Sequence, residues 1–493
     1  MRFSQSPIAV LALAAASSVA AFSHVPRVAN NTKPLVSPKA LGREMSIYSL
    51  LDGALDLENI ALSTEGKNRA LGTPGHEKTI SYITNFFDQF SSYYKYYLQE
   101  IRLPLGKNAK LTLDGTSIKA FPVHLAPPGI VAAPVILAMY DACNFSDFPD
   151  DTKDKIVLVP RGGCESHVKV KHAHDRGAHG VIIYNNEDFL GPFENHSLGL
   201  TEELGGPFLP TLAVGWWDGT SLRDNLYDEK EIIAVIKTET NDVITNNIIA
   251  ETIEGDHDNV IHLSANSDSI SGQGLNENGS GLISILEIAE RLTKFSVKNA
   301  VRFSWWATKS HNFIGSTHYV TTASESDLKK IRLNLHFDTL ASYNYAIQVY
   351  SGKDSSVDPE KRGAPGSEQA AREIQRFFKD EMKKNVTMID FDGLSDHSTF
   401  LKANVATCGI TSGSTQLKTE SEQIEFGGYA NESYNYLIFQ DDLEEYFKLG
   451  QDGWTMITVA IAHLTATFAR SFELLEAELP VVEQPVVEQP VGA

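Results

Sequence analysis

From Asn246 onward the chain alternates short apolar runs with amphipathic stretches, and that alternation restricts the folds open to it. Residues 260–263, 301–307, 333–337 and 386–391 read as strands. Residues 282–295 and 367–384 read as helices, with Ile285, Leu286, Ala289 and Leu292 on one face of the first. Parallel neighbours need a crossover long enough to hold a helix, so strands separated by helices imply a mostly parallel sheet flanked by helices. Residues 441–474 read as a long closing helical region, and 46–60 and 76–90 also have helical spacing. Residues 98–113 alternate like a pair of strands. The expected class is α/β.

A different texture interrupts this pattern between about 121 and 240. Short apolar runs at 130–137, 156–159, 180–184 and 211–214 are broken by Gly, Pro and Asn, with one amphipathic helix at 167–175. These features predict a separate β-rich module at 121–240, between an N-terminal part at 41–120 and an α/β region at 241–475. The stretch Pro480-Val-Val-Glu-Gln-Pro-Val-Val-Glu-Gln-Pro490 repeats every five residues, and proline at that spacing forbids helix. Residues 476–493 are therefore expected to form a disordered tail.

Arg2, an apolar Ala-rich run over 7–21 and the small-residue end Val19-Ala20-Ala21 read as an export signal, followed by a disordered lead-in at 22–40. The run is shorter than the ~20 apolar residues a membrane span needs. Secretion is the expected destination, with the vacuolar lumen as alternative. Sequons at Asn30, Asn144, Asn195, Asn278, Asn385 and Asn431 are then candidate glycosylation sites. Cys143, Cys164 and Cys408 allow one bridge, with one thiol left over. A net charge of -21 excludes nucleic acid as a partner, because a polyanion is repelled.

Lys155-Ile-Val-Leu-Val-Pro-Arg-Gly-Gly-Cys164, Lys169 through Ala173 and Gly177-Ala-His-Gly-Val-Ile-Ile-Tyr-Asn-Asn186 resemble the protease-associated domain, a module inserted in exported peptidases. That resemblance implies a Cys143–Cys164 bridge; two free thiols are the alternative. The segments Asn276-Glu-Asn-Gly-Ser-Gly281, Phe303-Ser-Trp-Trp306, Gly315-Ser-Thr317, His336-Phe-Asp338 and Ser395-Asp-His397 resemble the zinc aminopeptidases of the aminopeptidase Y type, metallopeptidase family 28. The resemblance implies a peptide-cleaving site with two zinc ions, five ligands and one glutamate as general base.

Carried across position by position, that site is eroded. The first histidine ligand falls on Asn266 and the bridging aspartate on Glu277. The general base falls on Lys309, and the neighbouring glutamate ligand on Ser310. Asp338 matches a ligand, and Asp268 matches the residue that orients one. The last histidine is expected near 432–442, where the chain has none. A cation at the base position opposes both proton abstraction and dication binding. Zinc is thus implied by the resemblance and disfavoured by the residues.

Asp338, His336, Glu277 and His311 offer a rebuilt single-metal cluster as the alternative; His262 lies about 13 Å from Asn266 along its strand, too far to serve. Gly279-Ser280-Gly281 lacks the flanking glycines of a nucleophile elbow, and Ser395, Asp396 and His397 are neighbours in sequence rather than a triad. Trp305 and Trp306 read as core plus pocket wall. The expected function is an exported aminopeptidase-family protein, inactive or peptide-binding, with peptides or proteins as partners. An active metallo-aminopeptidase with a rebuilt site is the alternative.

Overall fold

The computed structural model describes residues 33–186, 196–198, 209–270, 272–311, 313–352, 362–393, 395–414, 416–435 and 449–476. The expected export segment 1–21, residues 22–32 of the lead-in and 477–493 of the tail lie outside the described residues, as do Asn30 and Asn195.

Fourteen strands run through the described residues: β1 Tyr94–Leu113, β2 Thr116–Ile118, β3 Ala120–Pro122, β4 Gly129–Leu137, β5 Ile156–Pro160, β6 Gly180–Tyr184, β7 Thr211–Val214, β8 Ile233–Thr252, β9 Asp256–Asn266, β10 Asn299–Trp306, β11 Ile331–His336, β12 Gln348–Tyr350, β13 Thr387–Ile389 and β14 Thr407–Thr411. They follow the order β13-β12-β14-β11-β9-β10-β8-β4-β5-β6-β7-β3, with β1 paired to β8 and β2 to β1. The pairs β9–β10, β9–β11 and β11–β14 are parallel, as alternation with helices requires.

Residues 98–113, expected as two strands, belong to one strand of 20 residues, β1. It pairs antiparallel with β8 along its length, with a register shift between Gly106 and Asn108. The expected break at 240 also falls inside a strand. The late half of β8 pairs with β10 through Glu251↔Arg302, while its early half pairs with β4 through Ile236↔Val131. One strand is shared between the module and the α/β region, so from Pro34 onward the described chain is a single compact unit.

Successive residues of a strand face opposite sides, and β10 shows what each side holds. Trp305 packs against Phe87 and Phe303, with ring centroids 5.4 and 6.3 Å away. Its core is built from helices Ile47–Leu62, Pro74–Gln89, Gly279–Leu292 and Gln451–Phe468. Trp306 turns to the other face, where Tyr319 and Phe400 lie 5.2 and 6.0 Å away. Both tryptophans are fully buried, so neither forms the pocket wall expected of one of them. The helix expected over 367–384 runs as Ser367–Phe377 and continues as one wider turn, Phe378–Met382.

Cys143 and Cys164 form a disulfide with a Cα–Cα distance of 5.8 Å, closing a loop within the module. Cys408 is free and buried on β14.

Candidate functional site

The C-terminal ends of β9, β10 and β11, with the turn before helix Gly279–Leu292, bring the expected residues together. Parallel strands end at the same edge of a sheet, where loops carry functional groups. The turn is pinned to the segment after β11. Asn276 accepts from Ala341 N at 2.9 Å and donates to Ser342 Oγ at 3.1 Å, while Ser280 Oγ accepts from Leu340 N at 2.8 Å. Gly281 permits the approach, because a Cβ there would lie 2.1 Å from Phe337 O. Glu277 and Asp338 are thereby held face to face.

Lys309 enters between them from the short turn after β10. Its Nζ donates to Glu277 Oε1 at 2.8 Å and to Asp338 Oδ2 at 2.9 Å, and its backbone N–H donates to Asp268 Oδ1 at 3.2 Å. The Lys309 side chain is 9% exposed. Burial disfavours the ammonium, yet the Asp338 and Glu277 carboxylates outweigh it and hold the lysine above its ordinary pKa. Burial likewise disfavours the Asp338 carboxylate, but the Lys309 ammonium and the Ser395 hydroxyl, 2.7 Å from Oδ2, hold it below the usual range.

Asn266, at the end of β9, donates its amide to Asp396 Oδ2 at 2.8 Å. His336 lies beside this pair. Its Nδ1 is 3.0 Å from Ser264 Oγ, while Nε2 is 3.7 Å from Asp396 Oδ2 and 4.0 Å from Asp338 Oδ2, too far for hydrogen bonds. Burial lowers its pKa despite both carboxylates. Asp268 is fully buried, and its carbonyl accepts from Asn278 Nδ2 at 2.9 Å.

The structure therefore brings Asn266, Asp268, Glu277, Lys309, His336 and Asp338 to one place. Among the described residues no three His, Cys, Asp or Glu side chains are grouped as a metal ion needs. His311 instead faces His124, ring centroids 4.7 Å apart, and burial with the nearby His124 and His76 lowers its pKa to about 3. The side chain of Ser310 lies outside the described residues, as do positions 436–442 of the stretch where the last histidine was sought. His262 is a core residue 2.8 Å from Ser304 Oγ. Ser395, Asp396 and His397 point to different partners: Asp338, Asn266 and, at 3.6 Å, Asp392.

Of the described sequons, Asn144, Asn385 and Asn431 are exposed. Asn278 is fully buried, and the fold leaves no room for a glycan there.

Two residues that shape the site carry no signal in the sequence. Arg69 is fully buried and donates to the carbonyls of Gln273, Ser267 and Gly274 at 2.7, 3.0 and 2.8 Å, fixing the chain that leads to Glu277. Asn247 accepts from Ala307 N at 3.1 Å and donates to Gly315 O at 2.7 Å, clasping both ends of the segment that carries Lys309.

A zinc pair does not fit these residues. The carboxylates that would bridge the ions already share an ammonium, and the first imidazole position presents a carboxamide engaged with Asp396.

Known proteins match both regions. The description "Peptidase family M28" matches residues 247–446, and "PA domain" matches 131–222. Leucine aminopeptidase 2 of Arthroderma otae is 34% identical over 445 residues, covering 89% of this chain and 87% of its own. A probable leucine aminopeptidase 2 of Aspergillus fumigatus is 32% identical over 90% of this chain and 87% of its own. Among solved structures, an aminopeptidase from Aneurinibacillus sp. strain AM-1 superposes with a TM-score of 0.64 at 19% identity, covering 88% of this chain and 97% of its own. A zinc aminopeptidase from Bacillus subtilis gives a TM-score of 0.58 at 20% identity, covering 87% and 94%. These structures share the fold, and the sequence relatives carry the kinship: the chain belongs to peptidase family M28, with a PA domain.

Proposed function

We propose that this chain is an exported aminopeptidase-family protein that does not hydrolyse peptides and acts instead as a binding or regulatory protein for them. One observation carries the reading: the Lys309 ammonium lies 2.8 Å from Glu277 and 2.9 Å from Asp338. A general base must accept a proton near the working pH, and a lysine paired with two carboxylates stays charged. A dication entering beside it would meet a like charge within a few ångströms, in a site of low dielectric.

Export is supported by the signal-like pattern at 1–21 and by the disulfide in the module. The α/β body is built from the chain on either side of the module, and β8, Ile233–Thr252, is common to both. Among the described residues no helix is long and apolar enough to cross a membrane.

The test is elemental analysis of the purified mature chain, followed by assays on amino-acid anilides with added zinc. Background turnover and substoichiometric zinc are expected. Two zinc ions per chain, with hydrolysis abolished by Asp338→Ala, would overturn the reading.

A further inference from the structure

We propose that Lys309 is a tethered ammonium filling an anionic pocket, and that cutting its side chain back converts the pocket into a binding site for a free alkylammonium ion. This deepens the reading above and rests on it.

The pocket's charge is the first argument. Glu277, Asp338, Asp268 and Asp396 bring carboxylates to one region, and the Lys309 ammonium bridges the first two. A buried carboxylate left without a counter-ion takes up a proton or a cation.

Spare acceptor capacity is the second argument. Among the described residues, Asn266 Oδ1, Asp396 Oδ1 and His336 Nε2 are buried and meet no hydrogen-bond partner. Ser264 Oγ is also within reach of Asn334 Oδ1 at 3.3 Å and of Leu335 O at 3.4 Å. When its hydroxyl donates to either, it accepts from His336 Nδ1–H, and Nε2 is left as a lone pair. The region around Asp338 is thus rich in acceptors and short of donors, which selects a cation over an anion or a neutral acceptor.

Geometry supplies the third. An alkylammonium head has the three donors of Lys309 Nζ, in the same tetrahedral arrangement. The oxygens that would receive it are already fixed: Asp338 Oδ2 also accepts from Ser395 Oγ at 2.7 Å, and Glu277 sits in the turn pinned by Asn276. The site is not sealed, since the side chains of Lys309, Glu277 and Asp338 are 9, 14 and 15% exposed. An ordinary ion pair between long side chains would predict loss of stability on truncation. It would not predict recovery by a small molecule.

Lys309→Ala removes Cγ, Cδ, Cε and Nζ, and n-propylammonium supplies that same set of atoms. The full-length variant is purified and its thermal unfolding and calorimetric binding are followed against n-propylammonium, with 1-propanol as neutral control. The expected result is a melting temperature below wild type that climbs saturably with the amine and not with the alcohol. Wild type should show no response. Binding to Lys309→Ala/Glu277→Gln should be weaker by about ten-fold or more, since one of two carboxylate partners is gone. If Lys309→Ala does not fold alone, it is refolded with and without the amine. Folding only with the amine supports the proposal, and folding with neither overturns it. Equal responses to amine and alcohol, an equal response in wild type, or no saturable binding also overturn it. Hydrolysis by the wild-type chain would defeat the non-hydrolysing reading while leaving this binding result to stand or fall separately.

Discussion

The carboxamide of Asn266 donates to Asp396 Oδ2 across 2.8 Å, and both residues are fully buried. This pair ties the end of β9 to the chain entering helix His397–Lys402. A carboxylate buried this deeply depends on each donor it has. Asn266→Ala should therefore cost about 1–3 kcal/mol in urea unfolding, while Asn266→Asp, placing a second acid against Asp396, should cost more. A loss smaller for the aspartate variant would show that the pair does not carry the contact described.

Restoring the family's residues tests how far the site has drifted. In Asn266→His/Glu277→Asp/Lys309→Glu/Ser310→Glu the blocking ammonium becomes a carboxylate and an imidazole returns. Metal affinity rises with each anionic or imidazole ligand, but the last histidine of the family pattern is still missing from the sequence at 432–442. Elemental analysis should find zinc above the wild-type level and below two ions per chain, with weak anilide hydrolysis. Zinc no higher than in wild type would mean that the surrounding turns no longer support the geometry.

The buried histidines make the fold acid-sensitive. Burial lowers His76, His311 and His397 to about 3 and His196 to about 4, against an ordinary value of 6.5. Each folded pKa lies below the unfolded one, so between these values the unfolded chain binds more protons. Stability is full above pH 6.5 and is lost as pH falls toward the folded pKa. Each such histidine contributes up to about 1.4 kcal/mol per pH unit inside that window. The urea midpoint should fall steadily from pH 7 to pH 5, and His76→Gln should flatten the slope by about one proton. A pH-independent midpoint would contradict this.

The Cys143–Cys164 bridge spans 21 residues, and Cys408 is buried with its thiol pushed up to about 12. Without reductant, an alkylating reagent should label nothing in the native protein and Cys408 alone in denaturant. Cys143→Ser/Cys164→Ser should cost about 2–4 kcal/mol through the freed loop of the unfolded chain. Peptide mapping that joins Cys408 to either partner would disprove the pairing.

Much of the body was legible in the residue order, because periodicity is local. Helix Gly279–Leu292, strands β9, β10 and β11, and the β-rich texture at 121–240 each follow from spacings within a few residues. The resemblance carried by the motifs implied that Asn266, Glu277, Lys309 and Asp338 share one site. Pairing and facing are different in kind. The alternating residues 98–113 say nothing of which strand they join, and β1 proves to be one strand because β8 runs beside it throughout. Lys309 meets carboxylates 32 and 29 residues away, and Arg69 meets carbonyls 198 to 205 residues away. His311 is two residues from the lysine in sequence yet turns toward His124. Residue order alone established which groups the site could contain. Only the packed sheet decided that an ammonium from the chain itself stands between two acids, since that contact exists only when β10, β11 and the turn at Glu277 end at one edge.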